Sequence, residues 1–515
     1  MASPITSFSV VAPGFWGLNT QDSPSDMDPK FAQQANNCVI DKFGRVGSRK
    51  GWVPANTTSA SLGSNDVEAI GELVSNAGVR TTLCAGNGKL FKLATGALTE
   101  LTYGGGGVAP VITSNNWQMV MLNGAMLFWQ RAYDCLIFDP ALSATEFRRL
   151  SEHPLYSGSV PQANCALAAY GRIWAADTAA DKNTVYWSDT LTYMKWTGGT
   201  AGSLNLYGVW PQGGDEIVAL AAHNNTLIIF GRRQILIYSG ADNPSTMELA
   251  DALDHAGCVG RDTVATTPFD IMYLSDGGVT SIRRTIQEKS APLGLVSKNV
   301  NDDLQDYILN EGNGDTIKAA YSPIDSFYVI TFKTSMITFC FNMQSALPDG
   351  SSRVTTWTLK PKCYCYSDNR VLLMGFAGYI GNYDGYDDNG SAYRMSYYSS
   401  WVDFGDPVMI SILKKIILTI FGAVNQVVTF KWGFDYNSGG YAENVTISTG
   451  STPAEYNVSE FGIGEYSAGL IIDNLSVNAA GAGKVIQVGV EVDTNGFPIS
   501  VQRLDIFTKN GGYKV

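Results

Sequence analysis

The sequence predicts an all-β protein: a β-propeller of six to eight blades, an N-terminal helix-and-hairpin segment and a C-terminal β-sandwich-like layer. Three observations predict it. The first is composition: 515 residues with 54 Gly and 25 Tyr, 45% hydrophobic and 16% charged. That is a folded chain, rich in turn and strand formers and poor in long helix-forming runs. The second is a run of tight-turn signals inside apolar alternation: Asn87-Gly88, Asn123-Gly124, Tyr170-Gly171, Asn224-Asn225, Asp276-Gly277, Asp325-Ser326 and Ser367-Asp368-Asn369. Asn, Asp and Gly tolerate the positive φ that two-residue hairpins demand. The third is a short aromatic strand that starts 11 to 15 residues past the first residue of five of these turns: "CLIFD" at 135, "VYWSD" at 185, "ILIYSG" at 235, "MITFCF" at 336 and "YIGNYD" at 379.

Together the beats read as strand, tight turn, strand, loop, strand, with a period of roughly 40 to 50 residues, that of a propeller blade. A lone four-stranded sheet leaves both faces wet, and radial packing buries them. The expected division is residues 1–59 as an N-terminal arm and hairpin packing on the C-terminal layer, 60–390 as the propeller, and 391–515 as the sandwich-like domain. In the arm, Asp28 is expected to cap a short helix with Pro29 at its first position, followed by a hairpin turning near Gly44. Beyond the propeller, "SYYSSWVDFGDPVMISILKKIILTIFG", "VNQVVTFKWGFDY" and "KVIQVGVEVDTNGFPISVQRLDIFTKN" read as longer strands. Gly439-Gly440, Asn495-Gly496 and residues 449–465 are expected to be their exposed loops.

Charge and cysteines narrow the function. Thirty-five Lys and Arg against 47 Asp and Glu leave a formal net charge of -12, which argues against strong nucleic-acid binding. The eight cysteines, at 38, 84, 135, 165, 258, 340, 363 and 365, are too scattered for a four-ligand zinc site and read as buried reduced thiols. The start "MASPITSFSV" lacks the basic and long apolar regions of a signal peptide. The apolar run 416–424 is shorter than a membrane helix. Synthesis and folding in a cytoplasm are therefore expected.

Candidate chemistry is thin. "SDTLTYMKW" at 188–196 suggests the Asp-box of sialidase propellers, but the Gly that motif needs between Asp and Trp is missing. His153, His223 and His255 have no metal-binding helical spacing, and no G-x-S-x-G elbow supports a triad. Asp384, Tyr386 and Asp388 match a calcium-loop spacing in which Tyr breaks the ligand set. "GGGG" at 104–107 is followed by no Lys-Ser/Thr. No catalytic, metal or cofactor-binding residue is assigned. Two basic clusters are candidates for contact with DNA or with a neighbouring ring: Lys42, Arg45, Arg49 and Lys50, and Lys414 with Lys415.

Several stretches, in this order, resemble one family. "GLNTQDSPSDMDPKFAQQANNCVIDKFGRVGSRKGW" (17–52) is similar to the N-terminal segment of tail proteins of short-tailed bacteriophages in the Asn36 to Asp41 run, Gly44, Arg49 and Gly51. "ALAAYGRIWAADTAADKNTVYWSDTLTYMKW" (166–196) and "IVALAAHNNTLIIFGRRQILIYSG" (217–240) resemble two consecutive blades, and "HAGCVGRDTVATTPFDIMYLSDGGVTSIRR" (255–284) the next. "VGVEVDTNGFPISVQRLDIFTKNGG" (488–512) resembles the closing strands. The family is the tail nozzle or hub protein, also called tail tubular protein B or DNA-stabilisation protein. The resemblance implies a virion tail protein assembled in the host bacterial cytoplasm, without enzymatic activity or cofactor. Its subunits form a ring, usually a hexamer, below the portal and adaptor rings; the ring retains the packaged genome and guides its ejection. Implied partners are other copies, the adaptor ring, tail fibres or tip proteins, and duplex DNA passing without sequence recognition. An acidic lumen would let DNA pass. The alternative is a glycan-binding or glycan-cleaving propeller at the tail tip.

Overall fold

Six blades of four or five strands and one sheet of three close into a ring in a computed structural model of the chain. The structure describes residues 5–112, 116–268, 270–288, 295–404, 409–422, 426–447 and 472–513. The first blade contains Ala69–Val74, Arg80–Gly86, Lys89–Ala94 and Ala97–Glu100. The second contains Gln118–Leu122, Ala125–Trp129, Leu136–Phe138 and Glu146–Arg149, with Thr102–Tyr103 added at its edge. The third runs through Ala163–Ala169, Arg172–Thr178, Thr184–Trp187 and Gly202–Asn205, the fourth through Ile217–His223, Thr226–Gly231, Gln234–Ser239 and Glu248–Asp254. A three-stranded sheet follows (Ala265–Thr266, Ile271–Ser275, Gly278–Ser281). The fifth blade is Ile317–Ser322, Phe327–Phe332, Ile337–Asn342 and Arg353–Trp357. The sixth is Tyr364–Tyr366, Leu372–Phe376 and Tyr379–Asn382, completed by Val53–Pro54 from the N-terminal arm, so a strand from before the propeller closes the ring.

The turn signals act as expected where both central residues take positive φ. Asn87-Gly88 (50°, 65°), Asn123-Gly124 (48°, 77°), Tyr170-Gly171 (53°, 71°) and Asn224-Asn225 (47°, 59°) do so, matching the right-handed twist of the strands they join. All five aromatic segments are the third strands of their blades.

Alternation along each strand builds the interfaces between blades. In Ala125–Trp129, Met126 and Phe128 join the first-to-second blade core with Leu73, Leu83 and Phe138, while Leu127 and Trp129 join the second-to-third core with Ile173 and Trp196. Trp174 and Trp187 pack against Leu227 and Ile229 of the fourth blade. Both faces of these strands are buried, which is why they read as nearly continuous apolar runs.

The C-terminal layer is a sandwich of two sheets. One is seven-stranded, built around the long strands Met409–Gly422 and Ile499–Tyr513, flanked by Ile5–Val11, the hairpin Cys38–Ile40 and Val46–Ser48, Ile472–Val477 and Ala482–Gly483. The other continues out of the fifth blade. Beyond Arg353–Trp357 come Gly17–Leu18, Phe31–Asn36, Tyr393–Ser399, Ile486–Thr494, Val427–Phe434 and Asn437–Thr446, ten strands in all. Leu413, Ile416, Leu418, Leu504 and Ile506 of the first sheet meet Val428, Phe430, Val488 and Val490 of the second in one core.

The structure departs from expectation in the arm, the insertion and one turn. No helix follows Asp28: its carboxylate accepts the Lys30 N–H at 2.9 Å in a local turn, and the chain enters Phe31–Asn36 directly. Helices form instead at Ile282–Glu288 and Asn301–Glu311, after the three-stranded sheet, where another blade would place its fourth strand. Gly439 and Gly440 lie inside Asn437–Thr446, and the turn before it is Asp435-Tyr436 (49°, 67°). The loop expected at 449–465 lies outside the described residues.

Asn37 sits where arm, propeller and sandwich meet. It is 2% exposed with φ 53°, a left-handed conformation that Asn adopts more readily than most residues. Its Oδ1 accepts from Arg49 Nε (2.9 Å), Thr358 N (2.9 Å) and Thr358 Oγ1 (3.0 Å), and its Nδ2 donates to the Arg394 carbonyl (2.7 Å). Asn37→Ala strands these buried partners, so a loss of about 3–5 kcal/mol is expected in urea unfolding. Asn37→Asp keeps the acceptor and is milder. An alanine variant as stable as wild type contradicts this role.

Candidate functional site

Arg45 and Arg49 are built into the hairpin. Arg49 is fully buried and makes a bidentate pair with Asp388 (2.8 and 2.7 Å), its guanidinium 3.9 Å from the Tyr393 ring centre. That pair engages one of the acidic residues in the loop 382–391. Arg45 pairs with Asp41 at 2.6 Å and lies between the rings of Phe43 and Phe421. Lys50 is half-buried and reaches Asp325 at 3.2 Å. Lys42 alone of the four is exposed. Sequence spacing shows basic residues on a hairpin; only the fold shows which of them already have acidic partners.

Lys414 and Lys415 lie on Met409–Gly422, in the same sheet as the hairpin but away from it: the hairpin meets Ile499–Tyr513 at Ser500 and Val501, whereas Lys415 stands opposite Phe507. A bulge between Leu413 and Lys415 sets both lysines off the core, because Leu413 and Ile416 on either side are buried. Such a bulge is a standard way to re-aim a side chain. The register then adds two cations that sequence alone did not group with them. Lys415 stands opposite Phe507, Thr419 opposite Arg503 and Ile412 opposite Lys509. Next to these, Ser7, Ser9 and Val11 of the N-terminal strand pair with Phe507, Asp505 and Arg503, and Asn474 and Ser476 flank Thr419 and Ile417 on the other side. The outward face therefore carries four cations among hydroxyl and amide groups and the apolar Val11, Ile412, Ile417 and Phe507. Among the described residues that face outward on these strands, Asp505 is the one carboxylate, and it is held by Arg503 Nε at 2.8 Å and by Ser9 Oγ.

The propeller's centre is filled. Inner elements follow one another around the ring as Ala69–Val74, Gln118–Leu122, Ala163–Ala169, Ile217–His223, the turn Arg261–Thr263, Ile317–Ser322 and Tyr364–Tyr366, which returns to the first. Arg261, between the fourth and fifth blades, donates to the Asn164 carbonyl and Oδ1 (3.1 Å) at the third blade. It also donates to Asn116 Oδ1 (2.8 Å) and the Trp117 carbonyl (2.9 Å) at the second. Contacts that skip one and two blades place the guanidinium across the axis. Asp262 binds both Arg261 (2.9 Å) and Lys318, and Asn164 leads on through Asp177 to Arg131.

Burial alone would raise the Asp262 pKa, but the charges of Arg261 and Lys318 hold the carboxyl well below the usual carboxylate range. The remaining candidates are structural in their geometry. Ser188 Oγ accepts the Ile173 N–H (3.0 Å), and Asp189 ties Thr190 to Thr200. His153 is buried, and that burial lowers its pKa despite Asp139 at 3.7 Å. Seven cysteines are buried and Cys365 is half-buried, all as free thiols. Among the described residues no group of three or more His, Cys, Asp and Glu is placed to hold a metal ion, and no helix is long and apolar enough to cross a membrane.

Removing the axial carboxylate leaves two buried cations uncompensated, so Asp262→Asn costs about 3–5 kcal/mol at neutral pH. The folded pKa of Asp262 is depressed, so its contribution is complete above about pH 4 and is lost as pH falls through the folded value. Urea unfolding across pH 7 to 3 should show the gap between wild type and variant closing at up to roughly 1.4 kcal/mol per pH unit below pH 4. A constant gap contradicts the assignment.

No family model matches the chain, and no curated protein matches it. Among solved structures it is similar to PorZ, described as a bacterial surface component of the type-IX secretion system of Porphyromonas gingivalis (TM-score 0.38, 11% identity, 65% of this chain, 37% of that one). It is similar as well to the extracellular domain of a putative hybrid two-component system from B. thetaiotaomicron (TM-score 0.43, 11% identity, 80% of this chain, 56% of that one). A third is the Pan2 WD40 domain of Neurospora crassa (TM-score 0.37, 9% identity, 65% of this chain, 95% of that one). The chain thus spans about a third and just over half of the first two proteins' own lengths.

Proposed function

We propose that the chain is a virion structural protein, a propeller-bearing subunit of the tail nozzle or hub ring of a short-tailed bacteriophage. The ordered resemblance across residues 17–52, 166–284 and 488–512 suggests the family. The structural observation that carries the reading is the filled propeller axis: with Arg261 bonded across it, the propeller is a solid brace, not a conduit. The open element is the sandwich, joined to the fifth blade by continuous hydrogen bonding. In this reading, copies meet head to tail and close a ring, because heterologous contacts close when their rotation allows. Blades stiffen the ring from outside, and the sandwich faces the channel that retains and then guides the genome. The adaptor ring lies above and the fibres or tip proteins alongside or below. The protein acts without catalysis or a cofactor.

A second reading has one observation in its favour. A cleft of about 610 Å³ between the second and third blades is lined by Tyr156, Tyr186, Asp134, Gln162 and Ser151, a mixture suited to a saccharide at a tail tip.

Counting copies separates the two readings. Quantitative mass spectrometry of purified particles, normalised to the major capsid protein, should give several copies per virion, about six by the family resemblance. One copy per virion overturns the nozzle reading. Oligosaccharide binding or cleavage that is lost on Tyr186→Ala would favour the second.

A further inference from the structure

We infer that the outward face of the seven-stranded sheet is a phosphate-contacting surface for duplex DNA, carried by Lys414, Lys415, Arg503 and Lys509. The four come from two strands about 90 residues apart in sequence and converge only through the register Lys415–Phe507, Thr419–Arg503 and Ile412–Lys509. In a chain of net charge -12, this face reverses the sign. Lys414, Lys415 and Lys509 form no ion pair among the described residues, whereas Lys50, Arg49 and Arg45 do. Arg503 keeps an exposed guanidinium while Nε holds Asp505.

The other outward residues are mixed: Val11, Ile412, Ile417 and Phe507 are apolar, and the rest are polar. Ser7, Ser9, Thr419, Asn474 and Ser476 offer hydroxyl and amide groups, which bond phosphate oxygens and carry no sequence information. Four cations on each subunit also limit the grip. Each phosphate neutralised contributes about 0.9 to the salt slope, so roughly four contacts lose about 10²-fold in affinity between about 50 and 200 mM salt. Such a surface holds DNA when many copies act together and lets each contact exchange. The choice of DNA among polyanions rests on the nozzle reading; the basic face does not.

The test is fluorescence anisotropy of a short random-sequence DNA duplex with the full chain over a salt series. Wild type is compared with the triple variant Lys414→Ala, Lys415→Ala, Lys509→Ala, whose side chains leave the core. The wild type should bind with a salt slope of about 4, and the triple variant should lose close to 3 of it while melting within a few degrees of wild type. Charge reversal at Lys414 and Lys415 to Glu should abolish binding. Unchanged DNA binding in the triple variant, or no binding by wild type at low salt, overturns the inference. Capture of polyglutamate but not DNA also overturns it, in favour of an acidic protein partner. Several copies per particle with no DNA binding would sink this inference and spare the nozzle reading; one copy with salt-dependent DNA binding would do the reverse.

Discussion

Everything outside the blades depends on one splice in hydrogen bonding, where the N-terminal arm is laid between the propeller and the sandwich. Gly17 pairs in parallel with Val354 and Asn36 with Thr356 on the outer strand of the fifth blade, while Phe31–Asn36 pairs antiparallel with Tyr393–Ser399. One side of the arm extends a blade and the other side starts a sandwich sheet. Asn37 ends this segment, and its amide bonds both sides at once. Gly17 has φ 86°, and a Cβ there would fall 2.5 Å from the Val354 carbonyl oxygen, so the strand can approach the blade this closely only with glycine. Separate domains would swing on a linker; a continuous sheet resists bending because every intervening ladder bond must stretch.

The same arm supplies Val53–Pro54 to close the sixth blade. One stretch of some 50 residues therefore closes the propeller, seeds the sandwich and contributes Arg49 to the buried pair with Asp388. The division expected at residue 60 is crossed by these strands in both directions. Charge is distributed with the same economy. Cations that would be costly to bury alone are held by carboxylates: Arg49 by Asp388, Arg261 and Lys318 by Asp262. Lys414, Lys415 and Lys509 stand on the open sheet with no ion pair among the described residues.

Much of this was legible in the residues, and the failures have physical causes. Asn-Gly turns and aromatic third strands are local signals, so the blades could be read from period and turn chemistry. The three-stranded sheet could not: "DGGVTSIRRTIQEK" carries the same turn signal, but the fourth strand is replaced by helices, and the apolar stripe of Asn301–Glu311 (Leu304, Tyr307, Ile308) is only about one turn long. The Asp28 helix failed because an Asx turn uses the same residue types as a helix cap. Arg49 looked like a surface cation because Asp388, its partner, lies 339 positions away. Arg503 and Lys509 went unnoticed for the converse reason. Their proximity to Lys415 depends on a register with three irregularities between Met409–Gly422 and Ile499–Tyr513, which no single sequence displays.

The central claim is that the propeller braces a ring while the sandwich faces its channel. A cryo-electron microscopic reconstruction of the purified tail tests it most directly. The account predicts a closed ring of copies with the propellers at the outer radius, and the sheet bearing Lys414, Lys415, Arg503 and Lys509 at the lumen. A ring whose lumen is lined by propeller blades, or density for a single copy at the tail tip, would contradict it.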